Sequence, residues 1–444
     1  MRASPATGRA TRPGGHAGPR ETRPGGQAGE RRARRAAHRR FTAGCLAWVT
    51  VPGPRRPSRV LMAGALAAGV ALGGCASFPD AAPPQAWQAQ PQLTARPGPQ
   101  PQIPGEGGEG GGSSGNPPAP SRGPTQVPPP NGCQDFHAEV VGTCLNTVSA
   151  VAVLPDGNTG LVAERTTGRV LRVARHTDPV VVATIPVDAS GGGGLTGLSL
   201  SPTYEEDQLV FAYVTTPADN RVVRFAPGDA PKPVLTGIPR GATDNAGALT
   251  VDRRGALLVA TGDAGNPAAA ANPGTLAGKV LRIDGTGHPA PGNPTIGSPV
   301  VASGLHAPQG ICTSADGTRS WVTDRAPDED VLYRLALGQP LDVPAWTWPD
   351  RPGVAGCASF SDSVVVATEQ GAAAQALLLN RDGSFNGKPV VAEQNTFGRL
   401  FGMDTIGDQK AWVGTVNRSG GQPVSSDDRV FELLRPSPVA GGKD

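Results

Sequence analysis

The sequence is poor in the residues that most often carry catalysis or helical packing. Aromatic residues make up 4% of its 444 residues, and it has six histidines, six cysteines and three methionines. It contains no Cys-x-x-Cys or His-x-x-His spacing, which argues against a zinc site. It also has no Gly-x-Ser-x-Gly or phosphate-loop motif, which argues against a nucleophilic serine of that type and against a nucleotide-binding phosphate loop. Stretches of helical period are almost absent, so an all-β body is expected.

Glycine and proline are abundant instead. With 62 Gly, 47 Pro and 38% hydrophobic residues, much of the chain cannot belong to a packed core. The formal net charge of +3 conceals an uneven distribution, because residues 1–60 carry a net +12 and residues 61–444 a net −9. The main body is therefore acidic, and we expect no nucleic-acid partner.

An export signal precedes the main body. Residues 60–72 form an uncharged run of 13 that follows three arginines and is too short to span a bilayer as a helix. The run ends in Leu72-Gly73-Gly74-Cys75, which resembles a bacterial lipobox. We expect Cys75 to be lipidated, which would anchor the exported protein to the outer face of the cell membrane. The alternative is a short membrane anchor with an incidental cysteine.

Composition then divides the chain into four segments. Residues 1–75 are the leader. Their first 50 or so residues are expected to be translated upstream sequence, with the true start near Val49 or Val51, or else a disordered basic arm. Residues 76–132 contain 15 Pro and 10 Gly and predict a disordered tether. Residues 133–436 form the folded body, and residues 437–444 a disordered tail.

Internal repetition predicts the architecture of the body. A short apolar run recurs six times, and each copy is followed by a second run, such as Arg169–Val173 or Lys279–Ile283, in which aliphatic residues predominate. Six pairs in about 290 residues give blade-sized units, which favours a six-bladed β-propeller of four-stranded sheets. A β-sandwich is the competing architecture, but it does not require six copies. The first runs of the pairs are Gly160–Glu164, Gln208–Val214, Ala256–Gly262, Ser320–Asp324, Val364–Glu369 and Lys410–Val416.

Four cysteines lie in the exported body, an even number that suits an oxidising compartment. Three pairings are possible. The choice that joins neighbours in sequence is Cys133 with Cys144 and Cys312 with Cys357.

Several motifs between residues 147 and 434 resemble those of a known family. They are the glycine run at 191–194, Asn245–Leu249, Thr261-Gly262-Asp263, Leu276–Asp284 and Gly304–Gly310. Together with Trp346-Thr347-Trp348-Pro349 they resemble the soluble glucose/sorbosone dehydrogenases, which are six-bladed propellers that use pyrroloquinoline quinone (PQQ) and calcium. The resemblance implies PQQ and calcium as possible cofactors and a sugar as a possible ligand.

The resemblance also shows where this chain departs from the family. Asp244 stands in the place of the histidine that takes a proton from the sugar, and an exposed aspartate is a far weaker base. Ala307 replaces the asparagine of an Arg-Asn pair that contacts the quinone. Arg399 matches the first of two arginines that hold the quinone's carboxylates, but Phe401 stands at the second.

The resemblance implies a set of residues at the mouth of the propeller. The backbone carbonyls of Ala326 and Pro327 match a calcium-binding segment, whereas the neighbouring Asp328, Glu329 and Asp330 are expected to form a solvated acidic turn. The residues expected to line the ligand site are Asp244, Asn245, Asp263, His306, Gln309, Arg325, Trp348 and Arg399. For Asp244 and Asn245 the alternative is a turn, for Asp263 a structural hydrogen bond, and for Trp348 packing within a blade.

Two functions remain open from the sequence. One is a lipid-anchored propeller that has lost dehydrogenase chemistry and binds a sugar, a quinone-like ligand or an envelope protein. The other is a working PQQ- and calcium-dependent aldose sugar dehydrogenase with an unusual base. The altered base, Arg-Asn pair and second arginine favour the first.

Overall fold

The computed structural model describes residues 127–436. The leader with Cys75, most of the tether and the tail at 437–444 lie outside these residues. In chain order the strands are β1 (Val140–Gly142), β2 (Val148–Val153), β3 (Thr159–Glu164), β4 (Arg169–Ala174), β5 (Val180–Thr184), β6 (Leu195–Leu200), β7 (Val210–Thr215), β8 (Asn220–Phe225), β9 (Lys232–Ile238), β10 (Gly247–Val251), β11 (Leu257–Thr261), β12 (Lys279–Ile283), β13 (Val300–Ser303), β14 (Pro308–Thr313), β15 (Ser320–Arg325), β16 (Asp330–Arg334), β17 (Trp346–Trp348), β18 (Val354–Ser359), β19 (Ser363–Thr368), β20 (Ala373–Leu378), β21 (Val390–Ala392), β22 (Leu400–Ile406), β23 (Lys410–Thr415) and β24 (Val430–Leu434).

The strands form six antiparallel sheets of four, which confirms the six-bladed propeller. In blades 1 to 5 the strands follow chain order from the central channel outward, so that blade 1 is β2 to β5 and blade 5 is β18 to β21. Each innermost strand (β2, β6, β10, β14, β18 and β22) contacts the innermost strands of both neighbouring blades, which closes a ring. The repeated pairs of the sequence are the second and third strands of the blades.

The ring is closed by both ends of the folded body. β1 pairs with β24 and becomes the outermost strand of blade 6, with Val140 opposite Phe431. The predicted disulfide between Cys133 and Cys144 is present and brackets β1. The second predicted disulfide, Cys312–Cys357, is also present and joins the innermost strands of blades 4 and 5.

The hydrophobic core lies in the clefts between blades. Six clusters of buried apolar side chains occur, one between each pair of neighbouring blades. Small residues let the innermost strands approach each other around the channel. A Cβ on Gly356 would lie 2.6 Å from the Phe401 carbonyl oxygen, and one on Gly310 would lie 2.8 Å from that of Ala355. Larger side chains at these two positions would push the blades apart.

Helical structure within the described residues is confined to loops. These residues include a 3-10 turn at Ser190–Gly192 and two short α-helices, α1 (Tyr204–Asp207) and α2 (Pro267–Ala271). Lys279 is fully buried and donates to the carbonyls of Ala269, Ala270 and Ala277, which fixes α2 against blade 3. Within residues 127–436, no helix has both the length and the apolar character needed to cross a bilayer.

Candidate functional site

A cavity of about 400 Å³ opens at one end of the ring, and we call it the mouth cavity. Its walls come from two kinds of segment that face the same end of the propeller: the loops that follow the second strands, and the loops that enter the innermost strands. Its lining residues are Arg165, Gly191, Gly192, Thr196, Thr243, Asp244, Ala246, His306, Ala307, Gln309, Arg325, Arg351, Glu369 and Phe401.

One wall of the mouth cavity carries a histidine between two carboxylates. His306 Nδ1 lies 2.6 Å from Oδ2 of Asp263, and His306 Nε2 lies 3.9 Å from Oδ2 of Asp244. Asp263 is buried, whereas the side chains of His306 and Asp244 are about one quarter exposed. Nδ1 carries a proton, because the carboxylate of Asp263 only accepts hydrogen bonds. Nε2 faces the cavity, toward Asp244.

Backbone geometry fixes this cluster. Asp244 has a φ of 56°, a left-handed conformation that aspartate tolerates better than most residues, and Thr243 Oγ1 donates to its Oδ2 at 2.7 Å. The Asp263 amide donates to the His306 carbonyl at 2.8 Å, and its Oδ1 accepts from the Gly265 amide at 2.8 Å. Asp263 thus orients His306 through both its main chain and its side chain.

A buried carboxyl group lies behind His306. Asp324, fully buried at the end of β15, accepts from the amides of His306 at 2.9 Å and Ala307 at 2.7 Å. Burial, together with the nearby charge of Asp263, raises the pKa of Asp324 to about 6, against the lowering effect of the two amide donors. Asp324 therefore holds the loop that presents His306.

Asp244, Asp263 and His306 also have the donor types of a cation site. One ligand atom from each lies within 4.8 Å of the other two. Both oxygens of Asp263 already accept hydrogen bonds, so Asp263 orients the imidazole of His306.

The rest of the cavity is rich in arginine, and we call Arg165, Arg325, Arg351 and Arg399 together the arginine wall. Arg325 Nη2 lies 2.8 Å from Glu369, and Arg399 pairs with the other oxygen of the same carboxylate. Burial tends to raise the pKa of Glu369, but the Arg325 charge and the hydrogen bonds from both guanidinium groups hold it below its ordinary value. Glu369 is thus ionised and shared between two cations.

Two further arginines of this wall have no carboxylate partner among residues 127–436. Arg165 Nε donates to the Gly193 carbonyl at 3.0 Å, and burial lowers the pKa of its guanidinium. Arg351 donates to the carbonyls of Pro327 at 2.6 Å and Ala326 at 3.3 Å. These two carbonyls are the ones expected to bind calcium, and here they already accept from a guanidinium group.

The structure brings most of the expected ligand residues together, but two lie elsewhere. Asp244, His306, Gln309 and Arg325 line the mouth cavity, and Asp263 and Arg399 contact lining residues. Asn245 is fully buried and bonds to Gly191, Asn220 and Gly241, because its amide closes the loop before β10. Trp348 lies on the outermost strand β17, where its Nε1 donates to Gln375.

The expectation of a solvated acidic turn at residues 328–330 is wrong for Asp330. Its side chain is buried and accepts from the amides of Gly353 at 2.6 Å and Val354 at 2.9 Å. This carboxylate fixes the start of β18, close to Arg351.

Three charged lining residues were not anticipated from the sequence: Arg165, Arg351 and Glu369. Arg165 and Glu369 immediately follow a repeated second strand, Arg325 ends one, and Asp263 lies two residues after one. The position at the end of each repeated second strand could therefore have identified these residues as candidates for the site. Arg351 follows an outermost strand and carried no such signal.

Comparisons with known proteins give the family. The glucose/sorbosone dehydrogenase family model matches residues 145–339. The PQQ-bound aldose sugar dehydrogenase of Streptomyces coelicolor is 30% identical, with a TM-score of 0.63, over 67% of this chain and 96% of that one. A candidate oxidoreductase (glucose dehydrogenase) of Thermus thermophilus is also 30% identical, with a TM-score of 0.61, over 67% and 99%. None of the curated proteins matches the chain.

The soluble aldose sugar dehydrogenase of Escherichia coli in its apo form shares the fold alone, at 19% identity and a TM-score of 0.57, over 67% of this chain and 99% of that one. The two relatives at 30% identity are covered almost completely by residues of the propeller. The chain therefore belongs to the glucose/sorbosone dehydrogenase family.

Proposed function

We propose that this protein is an exported member of the family that binds a sugar-like ligand at the mouth cavity and does not oxidise aldoses through a bound quinone. The observation that carries the proposal is the position of Arg351. Its guanidinium donates to the Ala326 and Pro327 carbonyls, which are the two groups expected to hold calcium. A second cation beside this guanidinium would meet like-charge repulsion.

The remaining quinone contacts also fail to fit. Arg399, the one clamp arginine that persists, is paired with Glu369. Phe401 lies in the cavity where the second arginine is expected, and Ala307 offers no side-chain amide. An anionic tricarboxylate could use Arg399 only by displacing Glu369 from it. The residues present therefore do not fit PQQ and calcium as a pair.

Incubation of the purified protein with PQQ and calcium tests the proposal. We expect no bound-quinone absorbance and no dye reduction with a panel of aldoses, and we expect heats of binding when sugars alone are titrated. Dye reduction that is lost in His306→Ala, with the fold retained, would overturn the proposal.

One observation favours the second candidate, a PQQ- and calcium-dependent aldose sugar dehydrogenase. His306, oriented by Asp263, presents an imidazole nitrogen to the same cavity that contains Asp244. An oriented imidazole is a competent proton acceptor near neutral pH, unlike a solvated aspartate. The turnover assay with His306→Ala decides between the two candidates.

We also propose that the protein is anchored through a lipidated Cys75 to the outer face of the cell membrane, with residues 76–132 as the tether. A resemblance of the lipobox, tether and cysteine placement to the mycobacterial lipoprotein LppZ supports this arrangement. A Cys75→Ala variant is expected to lose membrane retention. Retention that survives a salt wash in this variant would contradict the anchor.

A further inference from the structure

We propose that the ligand of the mouth cavity is a sugar acid, of the uronate type, whose carboxylate binds the arginine wall and whose hydroxyl groups bind between His306 and Asp244. The inference rests on the proposed function in placing a sugar-like ligand in this cavity. It adds the charge and the orientation of that ligand.

Guanidinium groups outnumber carboxylates on the arginine wall. Arg325 and Arg399 share the one carboxylate of Glu369, and Arg165 and Arg351 have no carboxylate partner among the described residues. Arg165 and Arg351 contact only carbonyl oxygens among the described residues. A carbonyl satisfies a hydrogen-bond donor but does not neutralise its charge, so the wall favours an anionic ligand.

Arg165 gives the strongest evidence for an anionic ligand. Its Nε is held by the Gly193 carbonyl, and no described protein group accepts from its two terminal nitrogens. The guanidinium is half-buried, and burial lowers its pKa by destabilising the charged form. A half-buried cation with free donors stabilises a carboxylate strongly, because the pair forms two parallel hydrogen bonds in a planar geometry.

A gap separates His306 from Asp244. Nε2 of His306 lies 3.9 Å from Oδ2 of Asp244, too far apart for a direct hydrogen bond. A sugar hydroxyl both donates and accepts, so hydroxyl groups placed in this gap can donate to Asp244 and bond to Nε2.

The two walls together define the class of ligand. An anion alone would leave the gap between Asp244 and His306 empty, and a neutral sugar would leave Arg165 and Arg351 without a carboxylate partner. A cavity of about 400 Å³ lies within the range of about 300–1000 Å³ that is usual for small-molecule sites. A monosaccharide that carries one carboxylate meets both requirements.

Isothermal titration of the full exported chain with D-glucuronate, D-glucose and acetate tests the inference. We expect glucuronate to bind at least ~10-fold more tightly than glucose or acetate, with an affinity that falls as salt rises. Arg165→Met is expected to weaken glucuronate at least ~10-fold and to leave glucose unchanged, and Arg165→Lys to lie between the two. The matched control is Arg334→Met, an exposed arginine outside the mouth cavity, which is expected to change neither.

His306→Gln tests the other wall and is expected to weaken both sugars. Equal affinity for glucose and glucuronate, or an Arg165→Met variant that binds glucuronate normally, would overturn the inference and leave the proposed function standing. Acetate that binds as tightly as glucuronate would reduce the cavity to a simple anion site and also overturn it. Quinone-dependent turnover of aldoses, by contrast, would remove the proposed function and is measured separately.

Discussion

The imidazole of His306 lies 2.6 Å from the buried carboxylate of Asp263, while its other nitrogen opens toward Asp244 in the mouth cavity. This pairing predicts that Asp263→Asn alters the tautomer of His306, because an amide is a weaker acceptor for the Nδ1 proton. We expect a mixture of tautomers in the ¹⁵N shifts of the imidazole. The free energy of unfolding should also fall by about 1–3 kcal/mol, since a buried hydrogen-bond network loses an acceptor.

Asp244→Asn is the matched control for that measurement. Asp244 is 3.9 Å from Nε2 and does not contact Nδ1, so its substitution should leave the Nδ1-protonated tautomer in place. Identical ¹⁵N shifts in Asp263→Asn and the unaltered protein would show that Asp263 does not set the tautomer.

Asp324 predicts a pH dependence of stability. Its pKa is raised to about 6 in the folded protein, from an ordinary value of 3.8, chiefly by burial. Between pH 4 and 6 the folded state therefore binds more protons than the unfolded state, so stability decreases as pH rises through this window and levels off above it. The full change is about 3 kcal/mol from this one group.

Urea unfolding of the unaltered protein and of Asp324→Asn between pH 4 and 7 measures this effect. The variant should be less stable at pH 4, since an amide oxygen cannot accept from both the His306 and Ala307 amides in the same way. It should also lack the Asp324 part of the slope. A slope of unchanged size in Asp324→Asn would assign the pH dependence to other groups.

The two disulfides are expected to differ in their effect on stability. Cys312–Cys357 closes a loop of 45 residues and Cys133–Cys144 a loop of 11. In the chain-entropy description the longer loop contributes about 4 kcal/mol and the shorter about 3 kcal/mol. Double Cys→Ala variants at each pair, compared by denaturant unfolding, should show the larger loss for the 312–357 pair. The reverse order would point to effects within the folded state.

Arg351 predicts a difference in calcium response. While its guanidinium is bound to the Ala326 and Pro327 carbonyls, added calcium should leave the melting temperature unchanged. Arg351→Ala frees both carbonyls, and millimolar calcium should then raise the melting temperature. Arg351→Lys, which retains a cation, is the control and should remain insensitive. A calcium response in the unaltered protein would show that Arg351 does not occupy the site.

The architecture was accessible from the sequence because strands two and three of every blade repeat. The second strands are almost wholly buried, and the third strands keep a mostly apolar pattern with some residues exposed. The first strand, β1, has only three residues, and the outer strand β21 is partly exposed, so neither carries a repeat. Ring closure by β1 and β24 depends on a contact between the two ends of the body, which no local pattern encodes.

The candidate site was only partly accessible. Asp244 and His306 were found through motifs, but their proximity requires loops of two blades to meet. Glu369 belongs to blade 5 and takes its role from Arg325 of blade 4 and Arg399 of blade 6. Such a set exists only after the ring has closed. Its members are distant in sequence, so no local pattern shows that they meet.

The Cys133–Cys144 disulfide also determines how a pulling force on the chain reaches the propeller. A pulling force applied to the chain before Cys133 passes through the sulfur–sulfur bond directly to Cys144, and the short pairing of β1 with β24 bears none of it. The load then reaches the body beyond Cys144, where the Cys144 and Leu145 amides donate to the carbonyls of Ser426 and Asp428. A protein that is held by its N-terminal side can thus bear a pulling force without losing the pairing of β1 with β24 that closes the ring.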